Sequence, residues 1–253
     1  MPNPRWTHDR KLAKTRLGVV GVDEAGRGCL AGPVVAGAVI LPSAFFGDAK
    51  NRKLTAEMND SKQFDEKKRE SLYSRVLELA ENKVLFGATG KASVEEIEEH
   101  NIVGATCLAM QRAMDAASCK YAGLWKPVLT SSMELFENNR DQGKDWIVLV
   151  DGRPMKKLPY KHAGLVKGDT KSLAIAMASM LAKVSRDRFM RELHNQFPEF
   201  GFNSNKGYGA PFHLRALREC GQTEHHRPRF LRNLLSDTKN TARNQEQSQL
   251  SLL

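Results

Sequence analysis

Four acidic side chains are placed where a strand or a helix could hold them against a phosphate. Asp23 and Glu24 close the apolar run LGVVGV, and Asp151 closes DWIVLV. A carboxylate at the C-terminal end of a buried strand, followed by small residues, sits where open α/β sheets build their sites. Taken singly, each also fits a turn-forming Asp-Gly or a solvated strand end. Asp187 is the fourth. Leu173, Met177, Met180 and Val184 form a helical stripe whose continuation lands on Asp187 or Arg188. The flanking Arg186 and Arg188 leave an ordinary charged helix end as the alternative.

Gathered in one place these carboxylates repel. At about 4 Å two like charges cost roughly 1 to 4 kcal/mol in a wet site. Divalent cations remove that cost, and Mg²⁺ and Mn²⁺ prefer carboxylate and water oxygens. Two such ions about 4 Å apart can activate a water and stabilise the leaving oxygen of a phosphodiester. The pattern points to a nuclease that uses a pair of Mg²⁺ or Mn²⁺ ions.

The rest of the composition agrees. Of 253 residues, 39 are basic and 29 acidic, a net charge of +10, which suits a polyanionic partner such as nucleic acid. The longest apolar stretch, Pro33 to Pro42, is too short to span a bilayer, and the basic N-terminus lacks the apolar core of a signal peptide. Cys29, Cys107, Cys119 and Cys220 are far apart, without a CxxC pair. This argues against a zinc knuckle or a disulfide framework and suits a reducing cytoplasm.

The acids need elements to carry them. Short Val-rich runs bounded by Gly and Pro predict strands at Leu17–Asp23, Pro33–Leu41, Lys83–Thr89, Asp145–Asp151 and Ala163–Lys167. Leu72, Val76 and Leu79 share one face of a helix over Asp65–Glu81. Ser93 and Glu96 form a capping box opening a helix through about Ala117, and a long helix follows over Ser172–Gln196. Cys119–Lys144 carries no assignable pattern. This order implies an α/β fold: a mixed five-stranded sheet, its first three strands antiparallel and the later ones parallel, flanked by helices. Residues 1–16 read as an N-terminal extension, 17–235 as the catalytic domain with a helical C-terminal part, and 236–253 as a disordered polar tail.

Gly26-Arg27-Gly28 follows the first acids and leads into a strand, so the context of a dinucleotide-binding loop is missing. Glycines there let main-chain groups approach a sugar or phosphate closely, Arg27 can pair with phosphate, and the loop could sense a 2′-hydroxyl. A tight turn between strands is the plainer alternative.

With these motifs in hand, the chain resembles bacterial ribonuclease HII. The matching pieces occur in family order: GVDEAGRG, AGPVVAGAV, NDSK at 59–62, VDG at 150–152, KGDTKSLAIAMASMLAKVSRD at 167–187, NKGYGAPFH at 205–213 and HHRPRF at 225–230. The resemblance implies a ribonuclease H-like fold with a C-terminal helical extension. It implies cleavage on the 5′ side of ribonucleotides embedded in duplex DNA and of the RNA strand of RNA–DNA hybrids, leaving 3′-hydroxyl and 5′-phosphate ends. Carried over by motif, Asp23, Glu24, Asp151 and Asp187 are the catalytic, metal-holding acids. Gly26, Arg27 and Gly28 contact the ribonucleotide, and Tyr208 packs on the sugar beside the RNA–DNA junction. Lys62, Lys167, Lys171, Ser172 and Lys183 are candidate phosphate contacts, although Ser172 could simply cap the long helix. His213 and His225 lack metal-ligand spacing and read as structural or phosphate-facing.

There are departures. Ala210 stands where the family often has threonine, and Ser43–Met58 and Cys119–Lys144 look longer than usual. The related ribonuclease HIII family usually has serine and lysine where Ala25 and Arg27 stand here, and it carries an N-terminal substrate-binding domain. The ending Gln249-Leu250-Ser251-Leu252-Leu253 is similar to the peptide that docks bacterial replication proteins on the sliding clamp. A monomer that meets hybrid or ribonucleotide-containing duplex, and the clamp through its tail, is the expectation. A DNA-cutting resolvase of the same fold and a basic binding module without catalysis are the rival readings.

Overall fold

A computed structural model describes residues 3–59, 61–121, 125–130 and 145–232. Five strands form one mixed sheet in the order β3-β2-β1-β4-β5: β1 (Gly18–Ala25), β2 (Val34–Pro42), β3 (Phe86–Ala92), β4 (Trp146–Asp151) and β5 (Ala163–Leu165). β1, β2 and β3 pair antiparallel, while β4 runs parallel to β1 and β5 parallel to β4. This is the expected mixed topology.

Four strand boundaries move by two residues or more, one of them the end of β3, which runs on to Ala92 by pairing with Val34. β3 begins three residues later than the sequence suggests, because Lys83 takes a left-handed conformation (φ 56°) at the end of the preceding helix. Val84 N–H then donates to Leu79 O (2.9 Å) and Lys83 N–H to Ala80 O (3.0 Å), a helix stop that a glycine would have advertised and a lysine conceals. β5 ends at Leu165 because Lys167 is also left-handed (φ 56°) and starts a short turn of helix. β1 runs on through Ala25, since Glu24 and Ala25 still pair with Ala36 and Val35.

Strand parity builds two layers. Odd-numbered Val19, Val39 and Leu41 pack under α1 (Pro4–Ala13), α3 (Glu66–Glu81) and α6 (Leu173–Gln196); α2 (Ala49–Leu54) and α5 (Gly168–Lys171) are short connectors. Even-numbered Val20, Val22, Ala36, Ala38 and Ile40 pack against α4 (Val94–Lys120) on the opposite face. The segment ahead of Leu17, expected as an extension, forms α1, whose Trp6 is buried against Phe45 and Phe46. The helix expected from Ser93 is broken at Asn101 (φ 55°, ψ 170°). There the Asn101 carboxamide accepts from Val103 N–H (2.9 Å) and Gly104 N–H (3.3 Å) and caps a second helical segment. A third cluster joins Leu30 and Ala31 to Phe200, Phe202, Leu217 and the C-terminal α7 (Phe202–Asn205) and α8 (Pro211–Cys220).

α6 lies unusually close to the sheet. A β-carbon at Gly21 would stand 2.2 Å from the Ala174 carbonyl carbon, and one at Gly37 would stand 2.2 Å from Ala178 O. Small residues on both partners therefore let helix backbone meet strand backbone. Gly37→Val is expected to destabilise the protein by about 3 kcal/mol or more, measured by chemical denaturation, because the helix must lift off the sheet.

Candidate active site

Parity and register place the acids. Val22 of β1 sits opposite Val150 of β4, so Asp23 and Asp151 follow side by side at the C-terminal ends of two parallel strands. Both carry the parity of the α6 face. Glu24, one residue on in an unbent strand, turns toward the other face, where its charge reaches Cys107 on α4. α6 runs along β1, so Ser179 stands near the Asp23 carboxylate, which accepts from Glu24 N–H at 2.7 Å, and Asp187 arrives further down the same helix. The stripe's continuation is thus Asp187, which is buried, whereas Arg188 is exposed.

Electrostatically the acids form a tense group. Burial holds the Asp23 carboxyl well above the usual carboxylate range, and the neighbouring Glu24 and Asp151 charges push it further. Burial also raises Glu24, against the pull of Arg27, whose guanidinium lies 3.3 Å away. Asp151 accepts from Gly168 N–H at 2.6 Å. Asp187 accepts from Lys183 at 2.8 Å, and its charge reaches Lys206 and Tyr208. Among the described residues no three acidic, histidine or cysteine side chains converge tightly enough to hold an ion as they stand. The donor set is nonetheless carboxylate oxygen in mutual repulsion, the chemistry that a hard divalent cation relieves.

The loop that follows β1 hangs from two buried arginines. Arg186, read from sequence as part of a charged helix end, is 1% exposed. It donates to Pro33 O (2.9 Å), Lys206 O (2.8 Å) and Ala31 O (2.9 Å). Arg227, wholly buried, donates twice to Gly32 O (2.9 and 2.7 Å) and once to Arg27 O (3.1 Å). Burial lowers Arg227 to about 10, with Arg186 nearby adding to the effect. Gly26 (φ 89°) rests on Arg186, where a β-carbon would fall 1.9 Å from Nε. Gly28 differs: a β-carbon there would meet nothing within 4 Å. Tyr208 is 47% exposed beside this loop, near buried Cys29, and burial raises its hydroxyl.

The other candidates divide. Lys167 and Lys171 are exposed, and the side chain of Lys62 lies outside what is described. Ser172 is fully buried and caps α6, accepting from Ile175 N–H (3.2 Å) and donating to Asp9 (3.0 Å). Capping, the alternative left open by the sequence, is what this hydroxyl does, and burial removes it from phosphate contact. Asp9 itself was not legible in the sequence. It is wholly buried and also accepts from Ala174 N–H (2.9 Å), so it anchors the start of α6 to α1. Arg186 had a signal: residues 173–182 are apolar on nearly every side, Ser179 apart, which marks this helix as buried along its length. Ala210 occupies the N-cap of α8 without a side-chain cap, where a threonine would supply one. His225 is partly exposed, and Gln249, Leu250, Leu252 and Leu253 lie outside the described residues.

A mixed five-stranded sheet with acids at the ends of β1 and β4, and a long helix bringing another across the same face, defines a ribonuclease H-like enzyme. The family model for ribonuclease HII matches residues 20–234. Ribonuclease HII of Fusobacterium nucleatum is 40% identical over 237 residues, 93% of this chain and 94% of that one. Among solved structures, ribonuclease H2 of Pyrococcus horikoshii OT3 aligns with a TM-score of 0.55 at 24% identity, covering 83% of this chain and 92% of that one. The PCNA:RNase HII complex of Archaeoglobus fulgidus aligns at 0.54 and 23%, covering 83% and 93%. The chain belongs to the ribonuclease HII family and is a metal-dependent ribonuclease H enzyme. No helix among the described residues is long and apolar enough to cross a membrane.

Behind Tyr208, His213 and His226 are buried, and burial lowers both imidazoles; for His226, with His213 and His225 adding charge, the value falls to about 4. The unfolded chain takes up a proton near the ordinary 6.5, while the folded one resists until about 4. The unfolded state therefore binds more protons in that window, and stability falls as pH is lowered through it. The Tm is expected to drop steadily between about pH 6.5 and pH 4, and His226→Gln should flatten that slope.

Proposed function

We propose that this protein cleaves the phosphodiester on the 5′ side of ribonucleotides embedded in duplex DNA, and the RNA strand of RNA–DNA hybrids, leaving 3′-hydroxyl and 5′-phosphate ends. The observation that carries the reading is the placement of Asp23 beside Asp151 at the mouth of a loop suspended from Arg186 and Arg227. Asp23, Glu24, Asp151 and Asp187 would hold two divalent ions, Mg²⁺ or Mn²⁺. When bound, the ions supply charge neutralisation, a more acidic water and stabilisation of the leaving oxygen.

The chain's own groups do the rest. Gly28 faces open space, so its missing side chain serves an incoming ligand and not internal packing. Main-chain groups of Gly26, Arg27 and Gly28 would approach the 2′-hydroxyl, the group that separates RNA from DNA. Arg27, now 3.3 Å from Glu24, would be free to pair with a phosphate once Glu24 held a metal ion. The exposed ring of Tyr208 offers a platform for the sugar next to the junction. Exposed Lys167 and Lys171 would meet the backbone, and the +10 charge favours association with the duplex. The protein would act as a cytoplasmic monomer, with the 236–253 tail as a tether to the sliding clamp.

A duplex with one ribonucleotide should be cut only with Mg²⁺ or Mn²⁺ added, and an all-DNA duplex should survive. Asp23→Asn and Asp151→Asn are expected to lower kcat at least about a hundredfold without loss of Tm, read by product gels and calorimetry. Equal cutting of both duplexes would refute the assignment. Gly28→Ala should change the unfolding free energy by no more than about 0.5 kcal/mol yet raise KM for the ribonucleotide substrate, since the added methyl meets only the ligand. Removal of Gln249–Leu253 should abolish clamp pull-down and spare cleavage of naked duplex.

A further inference from the structure

The Tyr208 main chain is held by an unusual set of partners. The Tyr208 carbonyl faces His213 Nδ1 at 2.8 Å. His213 Nε2 faces His226 Nε2 at 3.0 Å, with both rings buried. At the far end, His226 Nδ1 faces Thr223 N–H at 3.0 Å and the Thr223 hydroxyl at 2.9 Å, and that oxygen accepts from His225 N–H and so can turn its own hydrogen to the ring. The protons follow from the end groups. A backbone N–H can only donate, so His226 Nδ1 is bare and its Nε2 carries hydrogen. A carbonyl can only accept, so His213 Nδ1 carries hydrogen and its Nε2 is bare. The middle contact is then a hydrogen bond from His226 to His213, and every ring nitrogen is satisfied with both imidazoles neutral. A proton added to either ring would set two N–H groups face to face.

The surroundings fix this arrangement. Phe200 lies 4.7 Å from His226 and Phe202 5.3 Å from His213, centroid to centroid, and these rings keep water out. Arg227, the residue after His226, grips Gly32 O and Arg27 O of the substrate-side loop. One short segment, 223–227, therefore reaches both halves of the site: the loop through Arg227 and the tyrosine through the imidazoles. No acid is in the chain of contacts, so it differs in kind from the carboxylate group.

We propose that Thr223, His226 and His213 form a neutral relay that sets the height of Tyr208 over the substrate, making the two histidines positioning residues for recognition of the RNA–DNA junction. The proposal rests on reading Tyr208 as the platform for the junction sugar. Neither imidazole touches the reacting atoms. Their effect passes through the Tyr208 carbonyl, so they tune binding more than chemistry.

The full-length protein with ¹⁵N-labelled histidine tests the relay directly. At neutral pH the ring shifts should show His213 protonated on Nδ1 and His226 on Nε2. The opposite tautomer for either ring, or a charged ring, overturns the relay without any variant having to fold. Kinetics on a duplex with a single ribonucleotide test its purpose. His226→Gln and His226→Phe are expected to raise KM about five- to tenfold, the scale of one misplaced hydrogen-bonded contact, with kcat nearly unchanged. Tyr208→Ala should raise KM as well, and adding His226→Gln to it should change nothing more. An additive double variant, or a fall in kcat with KM steady, would mean the histidines act as general packing and overturns the proposal. If Tyr208→Ala raises KM and neither His226 variant does, the relay alone fails. If Tyr208→Ala leaves KM unchanged, the junction reading of Tyr208 fails and the proposal falls with it, even with the tautomers as assigned.

Discussion

Backbone contact between α6 and the sheet is the constraint on which the site depends. Gly21 and Gly37 on the strands, and Ala174 and Ala178 on the helix, bring main chain against main chain. That closeness sets the pitch at which the rest of α6 crosses the end of β1. Ser179 meets Asp23, Arg186 meets Gly26, and Asp187 enters the same region because each is a fixed number of turns further along. Asp9 secures the other end of the helix by capping it from α1, with Ser172 as intermediary. A rigid rod pinned at its start and pressed flat along its length delivers its last residues with little freedom.

Two buried guanidiniums then convert that rigidity into loop geometry. Neither Arg186 nor Arg227 is paired with a carboxylate among the described residues; both spend their donors on main-chain carbonyls of residues 27–33 and 206. A buried charge is costly unless its hydrogen bonds are made, and here they are made to a segment that would otherwise lack partners. Arginine suits the task because its planar fork reaches several carbonyls at once. The loop holds its shape through these contacts, which leaves Gly28 free to face outward. The same C-terminal segment orders Tyr208, so the groups that would read a substrate are braced from behind by residues that never meet it.

The acids show the opposite economy. Burial and the charges of Glu24 and Asp151 raise Asp23, while Asp23 and Glu24 leave a straight strand on opposite sides. A site built this way stores repulsion that a cation can release. Stability given up at the ends of β1 and β4 is matched by the deep packing of the two layers on either side of the sheet.

Much of this was legible in the order of residues alone. The strand end at Asp151, the stripe leading to Asp187 and the Ser172 and Ser93 caps follow from local periodicity and capping chemistry, which are properties of neighbours in sequence. The mixed sheet followed from the order of those elements. Long-range placement was not legible. Lys83 and Lys167 adopt left-handed turns that glycine would have announced, so β3 and β5 shifted. Nothing local marks Asp9 as the cap of a helix more than 160 residues away, or Arg186 as a brace for carbonyls from two distant segments. Sequence determined which residues could carry charge at the ends of strands. Only the tertiary structure decided which charges are buried, what satisfies them and which way each acid points, because burial and hydrogen-bond partners depend on segments that meet only in the folded chain.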